Sequence, residues 1–316
     1  MGGHVDGSTV GVVSRPRATL ALGAAILCWA SIPLFLKYFS SLLDAWTLNA
    51  YRYTVAAAVY LPFLLSRAGR GRVPKGLWKW ALVPTFFNIV SQNLWTWAPY
   101  FINPGLMSFL ARGSIVWSVI GSFVIFPDER PAIKSPRFAI GLTVAAAGYG
   151  ALMVQQGGLS HGPSMVGVVI MVSCGLFTAG YGLTVRRFLR AADPRLAFAI
   201  IALYTAASAN VLMALLGHPQ RLAALDLSTA LLMALSALLG LAIAQVAYYM
   251  AVARLGVAIC SSSMLMTSFL TILASGQLFG ERFSLGQWVA GSLLIAGGIL
   301  VIRSARHVEA WRSRAA

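Results

Sequence analysis

Long apolar runs separated by short polar breaks dominate the chain. Ten such runs lie at 18–39, 44–65, 80–101, 104–126, 137–154, 164–185, 196–217, 228–252, 257–279 and 284–302. Most hold the roughly 17–25 residues a helix needs to cross a hydrocarbon core about 30 Å thick. Asn103-Pro104-Gly105 is a turn signal that divides the third run from the fourth. Short connections make neighbouring helices antiparallel and leave no room for a soluble domain. The pattern predicts an all-α membrane protein of ten transmembrane helices. The fourth run, Asn103 to Arg130, reads as one spanning helix: proline in its first turn, Pro127 closing it, Asp128-Glu129-Arg130 at the water interface.

That stretch recurs as Gly256 to Arg282 at a constant shift of 152 positions, which lays Pro104 on Gly256, Phe126 on Leu278, Glu129 on Glu281 and Arg130 on Arg282. Upstream, Gln92-Asn93-Leu94-Trp95 lies over Gln245-Val246-Ala247-Tyr248 with one residue of slip; downstream, Gly141 and Gly148 lie over Gly291 and Gly298 after a shorter loop. A register held this far marks an internal duplication. The expected units are a five-helix repeat at 18–154, a second at 164–302, and tails at 1–17 and 303–316. Five helices is an odd number, so the second repeat enters from the opposite side of the membrane. Two inverted five-helix repeats place a binding site near the midplane between them. Pro33 and the Gly175/Gly180/Gly182 cluster suit mobile helices there, or ordinary membrane packing.

Composition agrees: 59% of residues are hydrophobic and 10% charged. The net charge of +16 would suggest nucleic acid in a soluble chain. Its distribution argues otherwise. Of the 24 Lys and Arg residues, nineteen fall on one side of the predicted topology and three on the other (Lys37, Arg221, Arg282), while Arg52 and Arg112 lie within the membrane. The positive-inside rule then puts both termini in the cytoplasm of a multi-pass protein of the cell membrane, inner or plasma, with lipid and not nucleic acid around it. Cys28, Cys174 and Cys260 all sit in apolar segments without metal-ligand spacing, so no disulfide framework, metal or cofactor is indicated. The first run has no small-residue cleavage signature and reads as a retained helix. Oligomeric state is open.

Chemistry at membrane depth is sparse. The eight acidic residues and four histidines all fall in tails, loops or helix ends, so no intramembrane proton relay stands out, although Glu129 or Glu281 could gate an entrance. Arg52 and Arg112 each lie about eight residues, or ~12 Å, from the same end of their helices, and so share a depth near the midplane. A cation there costs at least ~2.5–3.5 kcal/mol and must face protein or water. No acid is placed to neutralise either. A substrate carboxylate held by the guanidinium fork would fit; so would backbone carbonyls of broken helices or cavity water. Gln92 and Trp95, like Gln245 and Tyr248, are three apart on one helix face and suit a small ligand with a polar and a flat part. The stripe Cys260, Ser263, Thr267, Thr271, with Ser108, Ser118 and Ser122 in the other copy, serves close packing, ligand contact or both. Substrate contact is thus expected at Arg112, Arg52, Gln92, Trp95, Gln245, Tyr248, Ser263 and Thr267.

These features together carry a resemblance: Trp29 in the first helix, Arg52 early in the second, a Pro-Gly or Gly-Val helix start, a Glu-Arg interface and a Gly-rich last helix in each half. The chain resembles the drug/metabolite transporter superfamily, as a tandem pair of EamA-type domains over roughly 18–302, more closely in the second half. That family usually has a proline in the middle of helices four and nine; Ile115 and Thr267 stand there instead. The resemblance implies carrier-type export or exchange of a small metabolite by alternating access, without a nucleotide-hydrolysing partner. It leaves the substrate open, amino acids included. An intramembrane enzyme would need a base beside a serine, or His-Glu spacing, and the spans contain neither. No ring of charges or filter-like carbonyl run suggests a channel. A non-transporting scaffold or accessory subunit is the remaining alternative.

Overall fold

The computed structural model describes residues 15–126, 136–156, 165–189, 192–255, 263–264 and 266–315. Among them the chain is helical, with turns and no strand. The elements are α1 (Arg15–Phe39), α2 (Ala45–Gly69), α3 (Lys75–Trp97), α4 (Pro104–Ala111), α5 (Ser114–Ile125), α6 (Pro136–Gln156), α7 (Met165–Leu189), α8 (Pro194–Leu216), α9 (Leu227–Ala237), α10 (Ala244–Leu255), α11 (Met266–Phe279) and α12 (Leu285–Ala315). Six π-helical residues, Leu238–Ile243, join α9 to α10 into one run. Among the described residues, four helical stretches are long and apolar enough to cross a membrane: Pro16–Phe39, Met165–Leu189, Arg195–Leu216 and Leu227–Tyr248.

Each half packs helix by helix on the other. α1 lies on α10, α3 on α7, α2 on α8, α4 on α11, and α6 on α12. The last pair shows why the glycines stand where they do. A Cβ at Gly148 would meet the Leu294 amide nitrogen at 2.5 Å, and one at Gly297 the Ala145 nitrogen at 2.3 Å, so the two backbones touch where small residues permit it. The main apolar core runs between the halves through Leu36, Phe39, Leu48, Met107, Phe109, Leu110, Met171 and Leu294.

One departure from the sequence expectations has a physical cause. The fourth run is not one continuous helix. α4 ends at Ala111 and α5 begins at Ser114. Between them the amides of Arg112 and Gly113 bond to the carbonyls of Phe109 and Leu110, and those of Ile115 and Val116 to Arg112 and Gly113, all at 3.0 Å. These tighter three-residue bonds, with the Ser114 hydroxyl donating to the Ala111 carbonyl at 2.8 Å, break the run without a proline. The second copy tightens at the matching place, where the Thr267 amide bonds to Met264 at 3.1 Å. The end of the run, with Glu129, lies outside the described residues. The C-terminal tail, 303–315, continues α12 as helix and holds neither Gly nor Pro to stop it.

Candidate functional site

The helix breaks and the π turn converge on a cavity of about 400 Å3 between the halves. α1 contributes Trp29, Ile32 and Pro33, spaced three and four apart and so on one face. Gln92 and Trp95 come from α3, Arg52 from α2, Cys174, Gly175 and Thr178 from α7. The broken segment brings Ser108, Ala111, Arg112 and Ser114, and the second copy answers with Met264, Thr267 and Thr271. Gly240 of the π turn and Tyr248 of α10 close the wall. A π turn leaves carbonyls free of the ordinary ladder; here the Gly240 carbonyl accepts from the Trp29 indole nitrogen at 2.9 Å. That bond fixes the indole, whose ring centroid lies 5.3 Å from that of Tyr248.

Charge on this wall is of one sign. Arg52 and Arg112 line the cavity, and no Asp, Glu or His does among the described residues. Arg52 is 1% exposed, and its Nε and Nη1 have no hydrogen-bond partner. Arg112 caps the end of α4, and its Nε is likewise buried and unpartnered. A desolvated cation without a counter-charge is costly, because burial removes its water and nothing returns the energy. Negative charge brought into the cavity would offset that cost.

At one end of the bundle the opposite arrangement occurs. Pro104 opens α4 and has no N–H, so the amides of Gly105 and Leu106 are the orphan donors of its first turn. Asn103, the N-cap by sequence, makes no side-chain cap bond. Glu281 takes that place from the other half. Its carboxylate accepts from the Gly105 amide at 2.8 Å, the Leu106 amide at 3.0 Å and the Ser275 hydroxyl at 2.5 Å. A Cβ on residue 105 would lie 2.7 Å from the Glu281 Oε2 and 2.8 Å from the Phe283 ring, so only glycine lets the carboxylate reach the backbone. Nearby, Lys37 donates to the Pro99 carbonyl at 2.7 Å and the Tyr100 hydroxyl to the Leu43 carbonyl at 2.5 Å. These bonds link several segments at this end.

Of the eight residues expected to contact substrate, Arg112, Arg52, Gln92, Trp95, Tyr248 and Thr267 share the cavity wall. Gln245 and Ser263 lie off it. A three-residue step falls about 60° short of a full helical turn, enough for Tyr248 to reach the cavity while half-buried Gln245 does not. Half-buried Ser263 immediately precedes Met264, which takes the wall position. Of the stripe, Thr267 and Thr271 line the cavity; helix packing also uses these positions, the Thr271 hydroxyl donating to the Ala30 carbonyl at 2.8 Å and that of neighbouring Ser268 to the Ser108 carbonyl at 3.0 Å. Cys260 lies outside the described residues. Trp29, Cys174, Thr178 and the π turn were not anticipated as lining; of these only Trp29 carried a signal, as a polar-tipped aromatic in an apolar run.

Comparison with known proteins accords with this architecture. A model of the EamA-like transporter family matches residues 17–152 and again 165–303. No curated protein matches. Among solved structures sixteen chains match. One, a crystal structure described simply as that of a protein, is 20% identical, covers 94% of this chain and 100% of its own, and superposes with a TM-score of 0.59. At that identity the likeness is one of fold.

Proposed function

Because this chain belongs to the EamA-like transporter family, we propose that it moves a small, carboxylate-bearing organic metabolite across the cell membrane by alternating access, with the cavity between its halves as the substrate site. The observation that carries this reading is the pair of arginines, Arg52 and Arg112, with buried, unpartnered guanidinium nitrogens on one cavity wall. A guanidinium binds a carboxylate through two parallel hydrogen bonds, and in a desolvated site each is stronger than in water. Trp29, Trp95 and Tyr248 offer ring surface to the rest of the solute.

The helix pairing supports two inverted five-helix repeats. Exchanging equivalent helices turns the α1–α10 pair into α7–α3 and returns the other three pairs to themselves, as a two-fold axis between the halves would. With both termini cytoplasmic, as the Lys/Arg distribution favours, the Glu281 latch lies at the outer end. Release of the Gly105 and Leu106 amides from Glu281 is then one event of outward opening. No acid or histidine lines the cavity among the described residues, which favours exchange or facilitated diffusion over proton coupling.

The test is counterflow in proteoliposomes with a panel of labelled organic acids, amines and neutral solutes, comparing the parent with Arg112→Ala. Uptake of an organic acid that the variant loses is the expected result. If no solute moves in the parent, the chain is a scaffold or accessory subunit. If only amines move, the arginines are not the substrate site.

A further inference from the structure

Resting on that reading, we infer that the substrate is a dianion, with two negative charges and no ammonium group. Charge lining this cavity is unbalanced. Two guanidiniums line the cavity, and among its described lining residues there is no carboxylate and no histidine. Arg52, almost wholly buried, has two nitrogens without any partner, and Arg112 has one. A monoanion satisfies one guanidinium and leaves the other uncompensated, so much of its binding energy is offset by the charge that remains. A dianion matches both.

An amino acid carrying a single carboxylate is a poorer fit. Its ammonium would enter a space that already holds two cations and offers no carboxylate to pair with. The aromatic faces of Trp29, Trp95 and Tyr248 attract a cation only weakly by comparison with full charges at short range. Part of the wall (Ile32, Pro33, Ala111, Met264) is apolar and suits a short carbon skeleton or a ring. Two chemistries supply paired negative charge on such a skeleton, a dicarboxylate and a phosphate monoester.

Intrinsic fluorescence tests this directly, since Trp29 and Trp95 line the cavity. The full-length protein in nanodiscs is titrated with glutarate, phenyl phosphate, glutamate and butyrate. Glutarate and glutamate share a carbon chain and differ by one ammonium group; butyrate carries a single charge. Either glutarate or phenyl phosphate is expected to bind at least about tenfold more tightly than glutamate and butyrate, as one additional charge-assisted contact would give. Which of the two binds identifies the source of the charge. Glutamate or butyrate binding as tightly as both dianions overturns the dianion while leaving the organic-acid transporter reading in place. If none of the four binds, dianion and organic-acid site fail together. An Arg112→Gln variant gives a second measure in the same titration, as a ratio insensitive to the fraction of protein folded. Its preference for dianion over butyrate should fall about tenfold or more, and an unchanged ratio overturns the two-arginine count.

Discussion

Two charged places in this molecule are built in opposite ways. Glu281 accepts from two backbone amides and a hydroxyl, with every donor within 3.0 Å. Arg52 and Arg112 leave three buried nitrogens with no acceptor at all. The latch returns the desolvation energy of its charge through three bonds; the cavity leaves that of its arginines outstanding. The charge of Glu281 is satisfied within the protein, whereas the deficit at the arginines is what supports the proposed ligand site.

The comparison breaks most readily at Glu281. Replacing it with alanine strands the Gly105 and Leu106 amides, and the protein should lose about 3 kcal/mol of stability, the scale of leaving such donors unpaired. Unfolding in detergent measures this; an unchanged midpoint would mean that water replaces the carboxylate without loss. Next in size is Arg112. Its change to alanine should weaken substrate binding about ten- to hundredfold, and the change to lysine should cost about tenfold, because an ammonium keeps the charge but not the fork. Stability should hold or rise, since an uncompensated cation has gone. Loss of stability on the scale of Glu281→Ala would place Arg112 with the structural charges.

A smaller effect is expected from Gly105→Ala. The new methyl must displace both the Glu281 carboxylate and the Phe283 ring, at about 1 kcal/mol or more. If the comparison holds, affinity should change less than stability. The smallest effect sharpens the contrast between a distant cap and a local one. Asp226 caps its own helix, its carboxylate accepting from the Ser228 hydroxyl and from the Thr229 amide at 3.1 Å. The Ser228 bond first, then those from Thr229, lower its pKa from 3.8 to about 2. With the folded pKa below the unfolded one, its contribution is present above about pH 4 and is lost as pH falls toward 2. The acid limb of a melting profile should therefore flatten slightly between those values in Asp226→Asn, with its slope elsewhere unchanged.

Much of this was legible in the residues. The period of the apolar runs separates membrane helices from loops because lipid admits few alternatives for the backbone. Arg52 and Arg112 stood out because a cation in an apolar run demands an explanation whatever the fold. Helix α3 marks where such legibility stops. Its amides look alike on paper, yet Asn93 accepts from Asn49 at 2.8 Å and Asn88 donates to Thr205 at 2.9 Å between helices, while Gln92 faces the cavity. Position along a helix gives a direction in the helix frame, and only the packing of neighbours says what lies that way.

The same limit separates the two capping carboxylates. Asp226, three residues before the amide it caps, is a local signal that sequence can carry. Glu281 caps an amide 176 residues away, and Asn103, the residue that local rules would choose, is left unused. The breaks at Arg112–Gly113 and before Thr267 formed without the proline that would have announced them, through a few three-residue hydrogen bonds. Composition, periodicity and lone charges thus determined the helical membrane class and the two arginines, because each costs or returns energy wherever it sits. Which donor meets which acceptor was decided in three dimensions, since the energy of a hydrogen bond depends on a few tenths of an ångström between residues that the chain itself keeps far apart.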